Sequence, residues 1–100
     1  FSQGAGVGVL VDAKWHVCFS AVLPPPDAPR REVRDGPSLH CFDPDEEHAA
    51  ACEHVSSDFV QPEWVAHCSG HAVPTDAETI GLVARFMETA AGGKRDLRRT

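Results

Sequence analysis

Three kinds of side chain in this sequence could together activate a nucleophile: the hydroxyl of Ser2, the imidazole of His71, and a carboxylate from the cluster Asp43, Asp45, Glu46 and Glu47. A serine hydroxyl attacks poorly until a base takes its proton. An imidazole is an effective base only when an acid fixes its tautomer and orientation. Ser2 is followed by Gln3 and Gly4, the x-Ser-x-Gly pattern of a crowded turn entering a helix, in which the Gln3 backbone N–H would face a developing oxyanion. His71 follows Gly70 in the turn at 69–74, with an amphipathic helix behind it. A Gly-His pair taken alone is most often a surface turn. The order gives it weight: serine, then an acid after a strand, then histidine before the last helix.

The acid is expected just past a short strand at 38–42. Asp43, Asp45, Glu46 and Glu47 all stand there, and no local motif selects one. Most of them are expected to cap the next helix or to place favourable charge in its first turn.

The elements that must position these groups follow from apolar periodicity. Residues 3–12 are small and apolar and read as a buried helix, although each glycine weakens it by about 1 kcal/mol relative to alanine. The run at 15–23 reads as a strand buried on both faces, ended by Pro24-Pro25-Pro26. Polar, charged residues to Pro37 form the best loop candidate, bordering a substrate pocket. A strand at 38–42 and an Asp43-Pro44-Asp45 turn come next. A helix is expected over 45–59 with Cys52, Val55 and Phe59 on one face, broken by Pro62. A strand at 63–67 leads to the histidine turn. Thr75-Asp76-Ala77-Glu78 has capping-box spacing, and Ile80, Val83, Phe86, Met87 and Ala90 make a helical stripe ended by Gly92-Gly93. Strands alternating with helices imply an α/β fold: a parallel three-stranded sheet flanked by helices. The domain is expected over 1–91, with 92–100 a basic, flexible tail.

Composition narrows the alternatives. A chain of 100 residues, 42% apolar and 24% charged, has room for one domain with a modest core. A net charge of −6, with the basic residues confined mainly to 30–34 and 94–99, argues against nucleic acid as a partner. No apolar run approaches the roughly 18 residues of a membrane span. Phe1-Ser2-Gln3-Gly4 has neither signal-peptide character nor an initiator methionine, so the chain is expected to be a fragment or a processed product. Cys18, Cys41, Cys52 and Cys68 lie far apart at no repeating interval, which suits buried free thiols in a reducing, cytoplasmic setting. His48 with Cys52, and His67-Cys68 near His71, invite a small zinc domain, but no Cys-x-x-Cys knuckle supports one. A nucleophilic Cys18 or Cys68 is weaker still, since neither precedes an apparent helix N-terminus.

Phe1-Ser2-Gln3-Gly4-Ala5, followed much later by His67-Cys68-Ser69-Gly70-His71-Ala72-Val73-Pro74, resembles the FSH family of small serine hydrolases. The family has a Gly-Phe-Ser-Gln-Gly-Ala elbow and a His-x-Gly-Gly-His-x-x-Pro segment. The resemblance covers residues 1–87 as the C-terminal half of such a domain, a partial α/β-hydrolase fold. It implies a Ser2 nucleophile, a His71 base and a Gln3 oxyanion donor. The implied activity is hydrolysis of small-molecule carboxylic esters through an acyl-serine, without metal or organic cofactor. Ser69 replaces the first glycine of the histidine segment, and the glycine that precedes the family's acid is missing here. Counting back from His71 favours Asp45 as the acid, and counting forward from the strand favours Glu46. Asp45 is the expected acid, with Glu46 and Asp43 as alternatives. The missing N-terminal half would then be a partner, arriving as a separate chain. The competing expectation is a catalytically inactive hydrolase remnant serving as a structural or interaction subunit.

Overall fold

The computed structural model describes residues 1–10, 13–22 and 34–99. Its elements are α1 (Ser2–Gly8), β1 (His16–Phe19), β2 (Arg34–Phe42), α2 (Ala49–Ser56), β3 (Phe59–Ala66) and α3 (Ala77–Arg99). The strands form one parallel sheet in the order β1-β2-β3. The α/β arrangement with a three-stranded parallel sheet is therefore the fold of the chain.

Parallel strands joined by helical crossovers are covered on both faces. Pairing of Val17 with Leu39 and of Phe19 with Cys41 aligns apolar side chains on one face. There Leu39, Cys41, Val17, Phe19 and Val65 pack with Val83, Phe86 and Ala90 of α3. On the opposite face Cys18 joins Ala5 and Val9 at α1, Val55 of α2, and Phe59. One helix covers the first face and two cover the second. Where β2 passes the segment before β1, a Cβ at Gly36 would collide with the Lys14 carbonyl, so only glycine fits.

Several boundaries differ from the sequence expectation, each for a local reason. The expected helix over 45–59 contracts to Ala49–Ser56, and Phe59 belongs to β3. Pro62 ends no helix; it sits within β3, an outer strand of the sheet, where a missing N–H need not cost a ladder bond. Strand β2 reaches back to Arg34, taking in residues assigned to the loop before Pro37. The rest of that loop, at 24–33, and residues 11 and 12 of the first helix lie outside the described residues. Strand β1 stops at Phe19 because Ser20 turns the backbone to a φ of 48°.

No acid caps α2, whose N-cap is His48 without a side-chain bond. At α3 the cap is Asp76 rather than Thr75: the Thr79 N–H donates to Asp76 Oδ2 at 2.9 Å. Gly92-Gly93 does not end α3, which continues as helix to Arg99 over the segment expected to be a flexible tail. Two glycines cost a helix only about 2 kcal/mol together, and Lys and Arg near a C-terminus favour its dipole.

The apolar stripe of α3 is only partly core. Phe86 is buried, whereas Ile80 and Met87 are exposed. Phe86→Ala is accordingly expected to lower unfolding free energy by about 3 kcal/mol. Ile80→Ser should change it by no more than about 0.5 kcal/mol. Urea unfolding followed by circular dichroism measures both, and equal losses would refute this packing.

Candidate active site

In a parallel sheet every strand delivers its C-terminal end to the same edge, where the connecting loops gather. Here that edge carries Ser20 after β1, Asp43–Glu46 after β2, and His67–His71 after β3. Backbone bonds draw the loops together: Ser20 N–H donates to the Cys41 carbonyl at 2.8 Å, and His67 N–H to the Phe42 carbonyl at 3.3 Å. Val22 N–H donates to the Ser2 carbonyl at 3.3 Å, fastening the start of α1 to the same edge.

Three of the chemistry-bearing side chains meet there. Ser2 Oγ lies 2.8 Å from His71 Nε2. On the other side of the ring, His71 Nδ1 lies 2.7 Å from Glu46 Oε1. A carboxylate can only accept, so Nδ1 carries the proton and Nε2 is left to accept from the Ser2 hydroxyl. The Glu46 side chain is 2% exposed and that of His71 28%. The carboxylate is shielded while the imidazole remains reachable. The His71 ring also meets the rings of Phe1 and His48, at centroid distances of 5.2 and 4.9 Å.

The expected acid Asp45 is not the one that meets His71; Glu46 is. Turn chemistry gives the reason. Asp43, Pro44, Asp45 and Glu46 form a turn closed by Glu46 N–H donating to the Asp43 carbonyl at 3.1 Å, with proline second, where its fixed φ fits. The Asp45 N–H donates to Asp43 Oδ1 at 2.9 Å, which leaves the Asp45 side chain exposed at the tip. Glu46, one residue on, comes back over the sheet. Asp-Pro in the first two positions of a turn was the available signal for this choice.

Asp43 has a different task. Its Oδ1 accepts from Asp45 N–H and its Oδ2 from Gly70 N–H at 2.9 Å, so it clasps the acid loop to the histidine loop. These backbone donors, Asp45 first and Gly70 second, hold its carboxyl below the usual aspartate range. Gly70 makes the clasp possible by adopting a φ of 68° immediately before His71.

One residue of the site was not singled out in the sequence. Ser20, buried beneath the edge, donates its hydroxyl to Glu46 Oε2 at 3.1 Å. A serine after an apolar strand carries no signal of its own in one sequence. Gln3 is the second residue of α1, after Ser2, where the first backbone N–H groups of a helix have no intrahelical acceptor.

The remaining cysteines and histidines fall elsewhere. Cys18, Cys41 and Cys52 are buried free thiols, pushed up by burial to about 11, 12 and 11. Cys68 is free and exposed. His40 is a core histidine held by Ser38 Oγ at 2.8 Å, and burial lowers its pKa to about 4. Among the described residues, no three His, Cys, Asp or Glu side chains gather in a way that could hold a metal ion. Nor is any described helix long and apolar enough to cross a membrane. A groove of about 780 Å³ opens between the sheet and α3, but Ser2, Glu46 and His71 do not line it. No protein-family model, no curated protein and no solved structure matches the chain.

The clasp has a pH signature. Asp43 is more acidic folded than unfolded, so its stabilisation is complete above the ordinary aspartate value and fades as pH falls through the depressed one. Below about pH 4, wild-type stability should drop faster with acidification than that of Asp43→Asn, as read from urea midpoints. Parallel curves would remove Asp43 from this role. Gly70→Ala meets no steric obstacle and should cost only the conformational penalty, about 1 kcal/mol, in the same assay.

Proposed function

We propose that this chain carries the catalytic triad of a serine hydrolase acting on carboxylic esters, with Ser2 as nucleophile, His71 as base and Glu46 as orienting acid. The observation that carries the reading is the continuous chain of short contacts, Ser2 Oγ to His71 Nε2 and His71 Nδ1 to Glu46 Oε1, across residues far apart in sequence. The φ of 54° at Ser2 supports it. Non-glycine residues avoid this region unless function or surroundings demand it, and nucleophile elbows are strained in this way.

In this mechanism Ser2 Oγ bonds to the ester carbonyl carbon as its proton passes to His71 Nε2. Glu46 stabilises the imidazolium by accepting from Nδ1–H. The oxyanion formed in the tetrahedral intermediate takes a hydrogen bond from the Gln3 backbone N–H. Collapse breaks the carbonyl carbon–alkoxy bond, and the departing alcohol receives the proton from Nε2. Water then attacks acyl-Ser2, giving its proton to Nε2, and the free acid leaves as Ser2 is reprotonated. The resemblance to FSH hydrolases suggests that the three-stranded sheet corresponds to the C-terminal part of an α/β-hydrolase. An N-terminal half supplied separately would then extend it. The buried thiols suit a cytoplasmic setting.

The test is intact mass after exposure to a fluorophosphonate probe, on material shown folded by circular dichroism. One adduct per chain is expected, absent in Ser2→Ala and slowed at least about 10³-fold in Glu46→Gln. Asp45→Asn should label like wild type. No adduct on the folded protein would overturn the hydrolase reading and leave an inactive structural or interaction subunit. Equal labelling of Glu46→Gln and wild type would overturn the assignment of the acid.

A further inference from the structure

Two described non-glycine residues have positive φ, Ser2 and Ser20. The first is the proposed nucleophile. The second lies at the end of β1, is 1% exposed, and touches no part of His71 in any hydrogen bond. Strain of this kind persists only when the surroundings hold it, so what Ser20 accomplishes there calls for an explanation.

Its contacts supply one. The left-handed turn at Ser20 breaks the strand so that its N–H still reaches the Cys41 carbonyl while its hydroxyl rises to Glu46 Oε2 at 3.1 Å. Two residues on, Val22 N–H holds the Ser2 carbonyl. The short segment at 20–22 therefore grips both ends of the triad, the acid through a side chain and the nucleophile through the backbone. Glu46 is nearly sealed from water, with one oxygen on His71. Its second oxygen would lose hydration with nothing in return if Ser20 were absent, and a carboxylate with one oxygen free to rotate fixes the imidazole poorly.

We propose that Ser20 is a positioning residue: its hydroxyl locks the Glu46 carboxylate in the rotamer that holds His71 Nδ1–H and so keeps Nε2 aimed at Ser2. The proposal rests on the triad reading for its catalytic consequence, but its structural content concerns Glu46 and His71 alone. A residue that merely turned the chain would be replaced without loss by glycine, which accepts this φ freely.

That difference sets the experiment. Ser20→Gly removes both the strain and the hydroxyl, and Ser20→Ala removes only the hydroxyl. Imidazole NMR of the full chain reads the His71 tautomer and the low-field Nδ1–H proton, assigned by its loss in His71→Ala. Fluorophosphonate labelling reads the nucleophile. Wild type should show the Nδ1–H signal and a neutral ring protonated at Nδ1. Both variants should lose the signal and mix the tautomers, and labelling should slow about 10²-fold, as expected for a misplaced base. Ser20→Gly should remain folded, as read by circular dichroism. A Ser20→Gly protein with the wild-type signal and wild-type labelling rate would overturn the proposal, as would a wild-type chain without the Nδ1–H signal. If wild type is never labelled yet its signal is present and lost in both variants, the hydrolase reading fails while the positioning role of Ser20 stands.

Discussion

The carboxylate of Glu46 is the point on which this site depends. An ionised group taken almost wholly out of water must have its oxygens satisfied by the protein, or it is expelled or protonated. Its two oxygens accept from two different loops, from His71 beyond β3 and from Ser20 beyond β1, while its own loop follows β2. All three strands are thus tied through one side chain. The parallel register makes this possible. Had any strand run the other way, its following loop would have left from the opposite edge, beyond the reach of a glutamate.

Two carboxylates three residues apart perform separate tasks on this edge. Asp43 accepts only from backbone N–H groups and fixes where the loops lie. Glu46 accepts from side chains and fixes how the imidazole points. The turn between them, with Pro44 in its second position, makes the division possible by sending Asp45 outward. Backbone strain is concentrated here as well: Ser2 and Ser20 adopt positive φ, and Gly70 takes it without strain. Each left-handed non-glycine residue costs roughly 1–2 kcal/mol. The covered sheet and the cross-loop hydrogen bonds offset that cost.

The layout of the fold was legible because hydrophobic period and proline position are local signals. Alternation of strands and helices, the burial of Cys18, Cys41 and Cys52, and the approach of Ser2 to His71 could be reasoned from residue order and type, whereas Cys68, expected to be buried with them, is exposed on the loop after β3. Boundaries were less legible, since Phe59 and Pro62 suit a helix end as well as an outer strand until the neighbouring strand is known. The carboxylate that meets His71 lies one residue beyond the expected Asp45. Counting along the chain measures distance, whereas a turn decides direction, and the direction reverses between Asp45 and Glu46. Ser20 was invisible for a different reason. Its role depends on a strand ending opposite Cys41, a tertiary fact with no trace in the residues beside it.

His71 shows how such an edge fixes the orientation of a single ring. An imidazole free to turn by 180° about its Cβ–Cγ axis could offer either edge to Ser2, and exchange between the neutral tautomers would move the proton from one ring nitrogen to the other. Here each ring nitrogen faces a partner of opposite demand, an acceptor-only carboxylate at Nδ1 and a hydroxyl able to donate at Nε2. The Phe1 and His48 rings add contacts that oppose tilting. Reversal of the ring would break both hydrogen bonds at once, worth about 0.5–1.5 kcal/mol for the neutral one to Ser2 and about 1.5–3 kcal/mol for the one to the Glu46 carboxylate. A few kcal/mol suffice to hold one orientation nearly all the time. Orientation of the imidazole is therefore built into the resting fold, and the Ser2 hydroxyl faces an acceptor nitrogen already in place.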